Sequence, residues 1–135
     1  MKKFPALVLI VFAAVTTPCF AQIAPLPKAN DSTIGYKTVA DALAALQANP
    51  NIQISVQGGW TIASDNEAKT IWSFAPQNDP SYPSAVRRII EEHDGSVFIN
   101  MKVLCQAPKA ACDQLVSQFE QLNDRMSQSM RNQPN

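Results

Sequence analysis

Val97-Phe98-Ile99-Asn100-Met101-Lys102-Val103-Leu104-Cys105-Gln106-Ala107-Pro108-Lys109-Ala110-Ala111-Cys112 is the stretch whose reading decides the fold. Up to Cys105 it has a period of two, with Val97, Ile99, Met101, Val103 and Cys105 on one side, which predicts a strand in need of an antiparallel neighbour. Beyond Pro108 the period changes. Cys112, Leu115, Val116, Phe119, Leu122 and Met126 recur at helical spacing, predicting an amphipathic helix of roughly five turns over 109–129. Pro108 sits where a first-turn proline is tolerated. Asp113, Gln114, Gln118, Gln121 and Asp124 form its solvated face.

The two periods assign both sulfurs. Cys105 has the inward parity of its strand and Cys112 lies on the apolar stripe of the helix, so both face one sheet–helix boundary. A disulfide there closes a short ring and contributes about 2–3 kcal/mol in the chain-entropy account. That is a sizeable share of a net stability on the order of 5–15 kcal/mol. The spacing is not Cys-x-x-Cys, so the pair reads as a structural clip rather than a redox centre.

Working outward, the beginning of the chain bears on compartment. Lys2 and Lys3 precede an apolar run over 7–15 that is short for a membrane span, and Cys19-Phe20-Ala21 offers small residues for cleavage after Ala21. We expect a secretory leader over 1–21 and a periplasmic or secreted protein. Lipid attachment at Cys19 is the lesser alternative, because Thr16-Thr17-Pro18 lacks the usual apolar and small residues. The whole chain balances 11 basic with 11 acidic side chains. Loss of Lys2 and Lys3 leaves it slightly acidic, with no basic face to favour nucleic acid. An oxidising compartment suits pairing of the remaining cysteines.

Residues 22–36 read as a flexible lead-in, 37–130 as one domain of modest core, and 131–135 as a frayed tail. Thr38-Val39-Ala40-Asp41 resembles a capping box ahead of an Ala- and Leu-rich helix over 39–48, ended by Asn49-Pro50. Ile52, Ile54 and Val56 alternate as a half-buried strand, and the same parity carries on to Trp60 and Ile62 across Gly58-Gly59, a bulge or a tight turn. Thr70, Trp72 and Phe74 define another strand face, followed by a proline-rich surface loop over 76–83. Residues 84–94 admit a helix with Arg87–Glu91 and Arg88–Glu92 pairs, or a strand closing a hairpin through Asp94-Gly95. We favour the hairpin. The expected fold is α+β: an N-terminal helix, an antiparallel sheet of about four strands, and a C-terminal amphipathic helix packed on one sheet face, clipped by the Cys105–Cys112 disulfide.

Chemistry is sparse. His93, the single histidine, stands beside Glu91, Glu92 and Asp94, but neighbours on a strand point to opposite faces, so a solvated turn is expected rather than a metal site. There is no Ser-His-Asp pattern, and Gln57-Gly58-Gly59-Trp60 lacks the lysine and helix of a phosphate loop. No cofactor motif is present. Trp60, Trp72 and Phe74 could line a groove, though their parity favours core packing. Tyr82, Arg87 and Arg88, next to the proline loop, are the candidate recognition patch.

Tyr82-Pro83-Ser84, Arg87-Arg88, Asp94-Gly95, Met101, Leu104-Cys105, Ala107, Lys109, Cys112-Asp113 and Phe119 together resemble a group of small exported proteins of Gram-negative bacteria, some bearing a DnaJ-type chaperone name. The resemblance spans most of the chain after the leader and implies export, and it supplies no known active site. The chaperone name does not suit these residues: a J-domain is helical and needs His-Pro-Asp, where this chain has Asn78-Asp79-Pro80 and strands. By elimination the expected function is a non-catalytic binding or accessory module of the cell envelope, with an envelope protein or small ligand as partner. An inhibitor of a secreted hydrolase and a small enzyme with an unrecognised site are the alternatives.

Overall fold

The computed structural model describes residues 34–132. The expected leader, its cleavage point, most of the lead-in and residues 133–135 lie outside the described residues. Within them the order is α1 (Val39–Ala48), β1 (Gln53–Gln57), β2 (Trp60–Asp65), β3 (Thr70–Phe74), β4 (Ser84–His93), β5 (Ser96–Cys105) and α2 (Lys109–Arg131). The five strands form one antiparallel meander, β1-β2-β3-β4-β5, one strand more than expected.

Residues 84–94 resolve as the hairpin. As a helix they would gain only a few tenths of a kcal/mol from each Arg–Glu pair. As β4 they pair with β5 along the whole strand and with β3 over Ala85–Ile89, and every residue from Ser84 to Arg88 is buried. Two turns set the register. Gly58 and Gly59 have φ of 57° and 86°, and Asp94 and Gly95 have 51° and 73°. Positive φ at both central positions is the two-residue turn whose twist matches the flanking strands.

The Gly58-Gly59 turn corrects the parity expected across it. It pairs Gln57 with Trp60 and Val56 with Thr61. Residues directly opposite share a face, so Trp60 and Ile62 lie with Gln57 and away from Ile54 and Val56. The half-buried reading of β1 is corrected too. Ile52 is buried, but Ile54 is 42% and Val56 69% exposed, because β1 is a sheet edge beyond the reach of α1.

The sheet separates two unlike layers. On one face Ile34, Val39, Ala42 and Leu46 close over Ala63, Trp72, Phe74 and Ala85, which is the apolar core. Thr38 caps α1 by accepting from the Asp41 amide at 3.1 Å. On the other face lies α2, whose buried residues are only Leu115 and Asn123; Cys112, Val116, Phe119, Leu122 and Met126 are half-buried. Beneath it the sheet buries Ser73, Ser84 and Arg88 alongside Val86.

The strand-to-helix junction ties these layers together. Cys105 and Cys112 are disulfide-bonded, with Cα atoms 5.8 Å apart. Between them, the Gln106 amide donates to the Pro83 carbonyl at 2.9 Å, and its side-chain carbonyl accepts from Val39, the first amide of α1, at 3.1 Å. Replacing both cysteines by alanine is expected to lower unfolding free energy by about 2–3 kcal/mol in urea denaturation. A reductant should lower the unsubstituted protein by a similar amount and leave the double variant unmoved.

Candidate functional site

Consecutive residues of a strand point to opposite faces, and β4 spends that alternation on two arginines. Arg87 enters the apolar core, 2% exposed, with its guanidinium 5.5 Å from the Trp72 ring centroid and Nη1 donating to the Ile34 carbonyl at 3.3 Å. Tyr36 meets the same indole edge-on at 5.9 Å. Burial pushes the Tyr36 hydroxyl above its ordinary value, and the Arg87 charge partly opposes that rise.

Arg88 enters the opposite layer beneath α2, 7% exposed. Its guanidinium stands 5.3 Å from the Phe119 ring centroid, and Nη1 lies 3.4 Å from the Met126 sulfur. Nε is buried with no hydrogen-bond partner, and among the described residues no carboxylate pairs with this cation. Burial pulls its pKa below the ordinary guanidinium value, though a guanidinium keeps its charge in proteins. A buried charge without a counter-charge is costly unless something supplies one.

The space beside it is open. A groove of about 330 Å³ runs between α2 and strands β1 to β4, with Arg88 in its lining. Trp60, Ile62, Phe119 and Leu122 form the apolar wall, and the Trp60 and Phe119 rings pack at 5.6 Å. Gln57, Gln118, Ser73 and a second cation, Arg125, supply the polar groups, and no acidic side chain lines it. Two cations beside a partly aromatic wall can hold an anionic group through charge-assisted hydrogen bonds while an apolar body lies against the rings.

The expected patch of Tyr82, Arg87 and Arg88 does not assemble. Tyr82 is exposed, Arg87 is locked in the core, and Arg88 faces the other side of the sheet. The three aromatics also divide, with Trp72 and Phe74 in the core and Trp60 in the groove wall. Some of the groove's other members are legible singly in the sequence. Phe119 and Leu122 belong to the helical stripe, and Gln57 follows from Trp60 once the turn is read as a two-residue hairpin. Ser73 and Arg125 carried no sequence signal of their own.

Elsewhere the chain is quieter. His93 Nε2 lies 3.8 Å from Glu91 at the exposed hairpin end, and no group of three metal-ligating side chains converges among the described residues. The proline loop folds down on the body. Asp79 accepts from the Ser81 amide at 2.9 Å and from its hydroxyl at 2.6 Å, and Ser81 is 3% exposed. No protein-family model, curated protein or solved structure matches the chain.

The two arginines should separate in a stability experiment. Arg88→Met keeps much of the volume and removes an uncompensated charge, so it should leave unfolding free energy unchanged or raise it by about 1 kcal/mol. Arg87→Ala opens a hole beside Trp72 and removes the donor to Ile34, which should cost about 2–4 kcal/mol. Chemical denaturation of the two variants reads the difference.

Proposed function

We propose that this protein is a non-catalytic binding module whose site is the groove between α2 and the sheet. Its ligand is a small molecule with an anionic group and an apolar, preferably aromatic, body. The observation that carries this is Arg88, a buried cation with a partnerless Nε beside open space lined by Trp60, Phe119 and Arg125. A carboxylate, sulfonate or phosphate entering there provides the missing counter-charge, and the rings cover the rest of the ligand.

The chemistry in the groove is that of recognition. Its titratable members are both arginines, which hold charge at every working pH and so do not exchange protons as a general acid or base must. Binding therefore orients and desolvates an anion without activating it. We further propose that the protein works outside the cytoplasm, where the Cys105–Cys112 bond is stable.

Calorimetric titration with 1-naphthoate and with 1-naphthylmethylammonium tests the reading, because the two share a ring system and differ in charge. The carboxylate should bind saturably at one site and the ammonium should not. Arg88→Met should weaken naphthoate by roughly 10- to 150-fold, the loss of charged hydrogen bonds worth about 1.5–3 kcal/mol. Equal binding of the two probes, or naphthoate affinity unmoved by Arg88→Met, would overturn it.

A further inference from the structure

Among the described residues, β1 is a free edge of an unusual kind. Residues 42–64, which include β1 and its turn, contain no Asp, Glu, Lys, Arg or His. Sheet edges are ordinarily protected by charges, prolines, bulges or a covering element. Among the described residues, β1 has none of these devices. It is Gln53-Ile54-Ser55-Val56-Gln57, every residue of it is exposed, and among the described residues only β2 pairs with it.

The sequence of that edge is nearly a palindrome about Ser55. If a second copy approaches antiparallel, a two-fold axis at Ser55 sets Gln53 against Gln57, Ile54 against Val56, and Ser55 against itself. Apolar meets apolar on one face and amide meets amide on the other. A two-fold contact must be self-complementary in this way, since each residue i that meets j requires j to meet i.

The backbone agrees with the same register. A two-residue turn makes Gln57 and Trp60 the hydrogen-bonded pair that closes the β1–β2 hairpin. By alternation Gln53, Ser55 and Gln57 turn their amides and carbonyls toward β2, while those of Ile54 and Val56 face outward. The outward groups therefore belong to the residues the axis brings opposite one another. Ile54 and Val56 of the second copy exchange both bonds, and symmetry repeats the exchange. A shift of one residue would put an outward-bonding residue against one whose groups are already committed to β2.

We infer that this protein self-associates through β1, with a second copy of the chain as the partner, into a two-fold dimer with one continuous sheet of ten strands. The two-fold axis is perpendicular to the sheet and keeps like faces together, so both α2 helices, and both grooves, lie on one side. Gln57, which lines the groove, then stands opposite Gln53 of the second copy at the seam. The inference rests on the edge alone and stands or falls separately from the ligand reading.

Sedimentation over a range of concentrations, with matched cysteine variants, tests it. The unsubstituted protein should reach twice the monomer mass. I54K/V56K, which sets lysine against lysine on both sides of the axis at solvent-exposed positions, should remain folded by circular dichroism and monomeric. Ser55→Cys should form a covalent dimer on oxidation, because Cα atoms of a non-hydrogen-bonded antiparallel pair are about 4.5 Å apart, within disulfide reach. Gln53→Cys faces a glutamine and should not. A monomer at every concentration overturns the proposal, including one whose edge amides resist hydrogen exchange, which would assign the edge to another segment of the chain. A dimer that survives I54K/V56K, or Gln53→Cys linking as fast as Ser55→Cys, also overturns it.

Discussion

The alternation of side chains along β4 is the constraint on which the rest of this structure depends. A strand covered by a layer on each face buries both, and Ser84 to Arg88 are buried in unbroken succession. Two consecutive arginines in such a strand cannot both escape to solvent, nor can they share a surroundings. One is driven into each layer, and each layer answers with an aromatic ring: Trp72 over Arg87, Phe119 over Arg88. The resemblance stops there. Arg87 also donates to the Ile34 carbonyl and is absorbed into the core, whereas Arg88 borders open space. The same chemical group is structural on one side of the sheet and available on the other.

How much of this could be read from the residues follows from the range of the interactions involved. The long alternation from Val97 to Cys105, the helical stripe after Pro108 and the inward parity of both cysteines are local patterns, and strand, helix and disulfide all stand where those patterns put them. The parity error at Trp60 came from one turn. A bulge and a two-residue hairpin leave following residues on different faces, and Gly58-Gly59 permits either until the partner strand is known. The exposure of β1 is hidden for a related reason, since periodicity tells which side a residue takes and not whether anything covers that side. The groove was the least legible feature. Gln57, Ser73, Arg88 and Arg125 come from four elements, and only the sheet order and the placement of α2 bring them together.

The two layers divide labour in a way that follows from their composition. The α1 face encloses Ile34, Leu46, Trp72 and Phe74, side chains whose removal from water supplies most of the driving force for folding. The α2 face buries Val86 and Leu115 together with hydroxyls, an amide and a guanidinium, polar groups that add little net stability and need partners. Asn123 illustrates the point, with Nδ2 3.4 Å from the Met101 sulfur and Oδ1 left without a hydrogen bond. Stability concentrated on one face leaves the other free to keep polar groups and unfilled volume. A domain evenly packed on both faces would have closed the groove with leucine or isoleucine and gained stability by doing so.

That division raises the question of how α2 stays seated. A helix of 23 residues whose only buried positions are Leu115 and Asn123 has weak tertiary support, and helices in proteins are held mainly by such support. The Cys105–Cys112 bond resolves the conflict. It fixes the first turn of α2 to the end of β5, while Gln106 binds the same junction to Pro83 and to the start of α1. The first turn of α2 is then held on the sheet covalently, and the half-buried contacts of Phe119, Leu122 and Met126 need only orient the rest of the helix. Without the clip, comparable seating would require large side chains driven into the space between α2 and β1 to β4. The covalent bond lies at one end of the helix and the groove lies along its middle, so the bond holds the helix in place without filling the space that Arg88 faces.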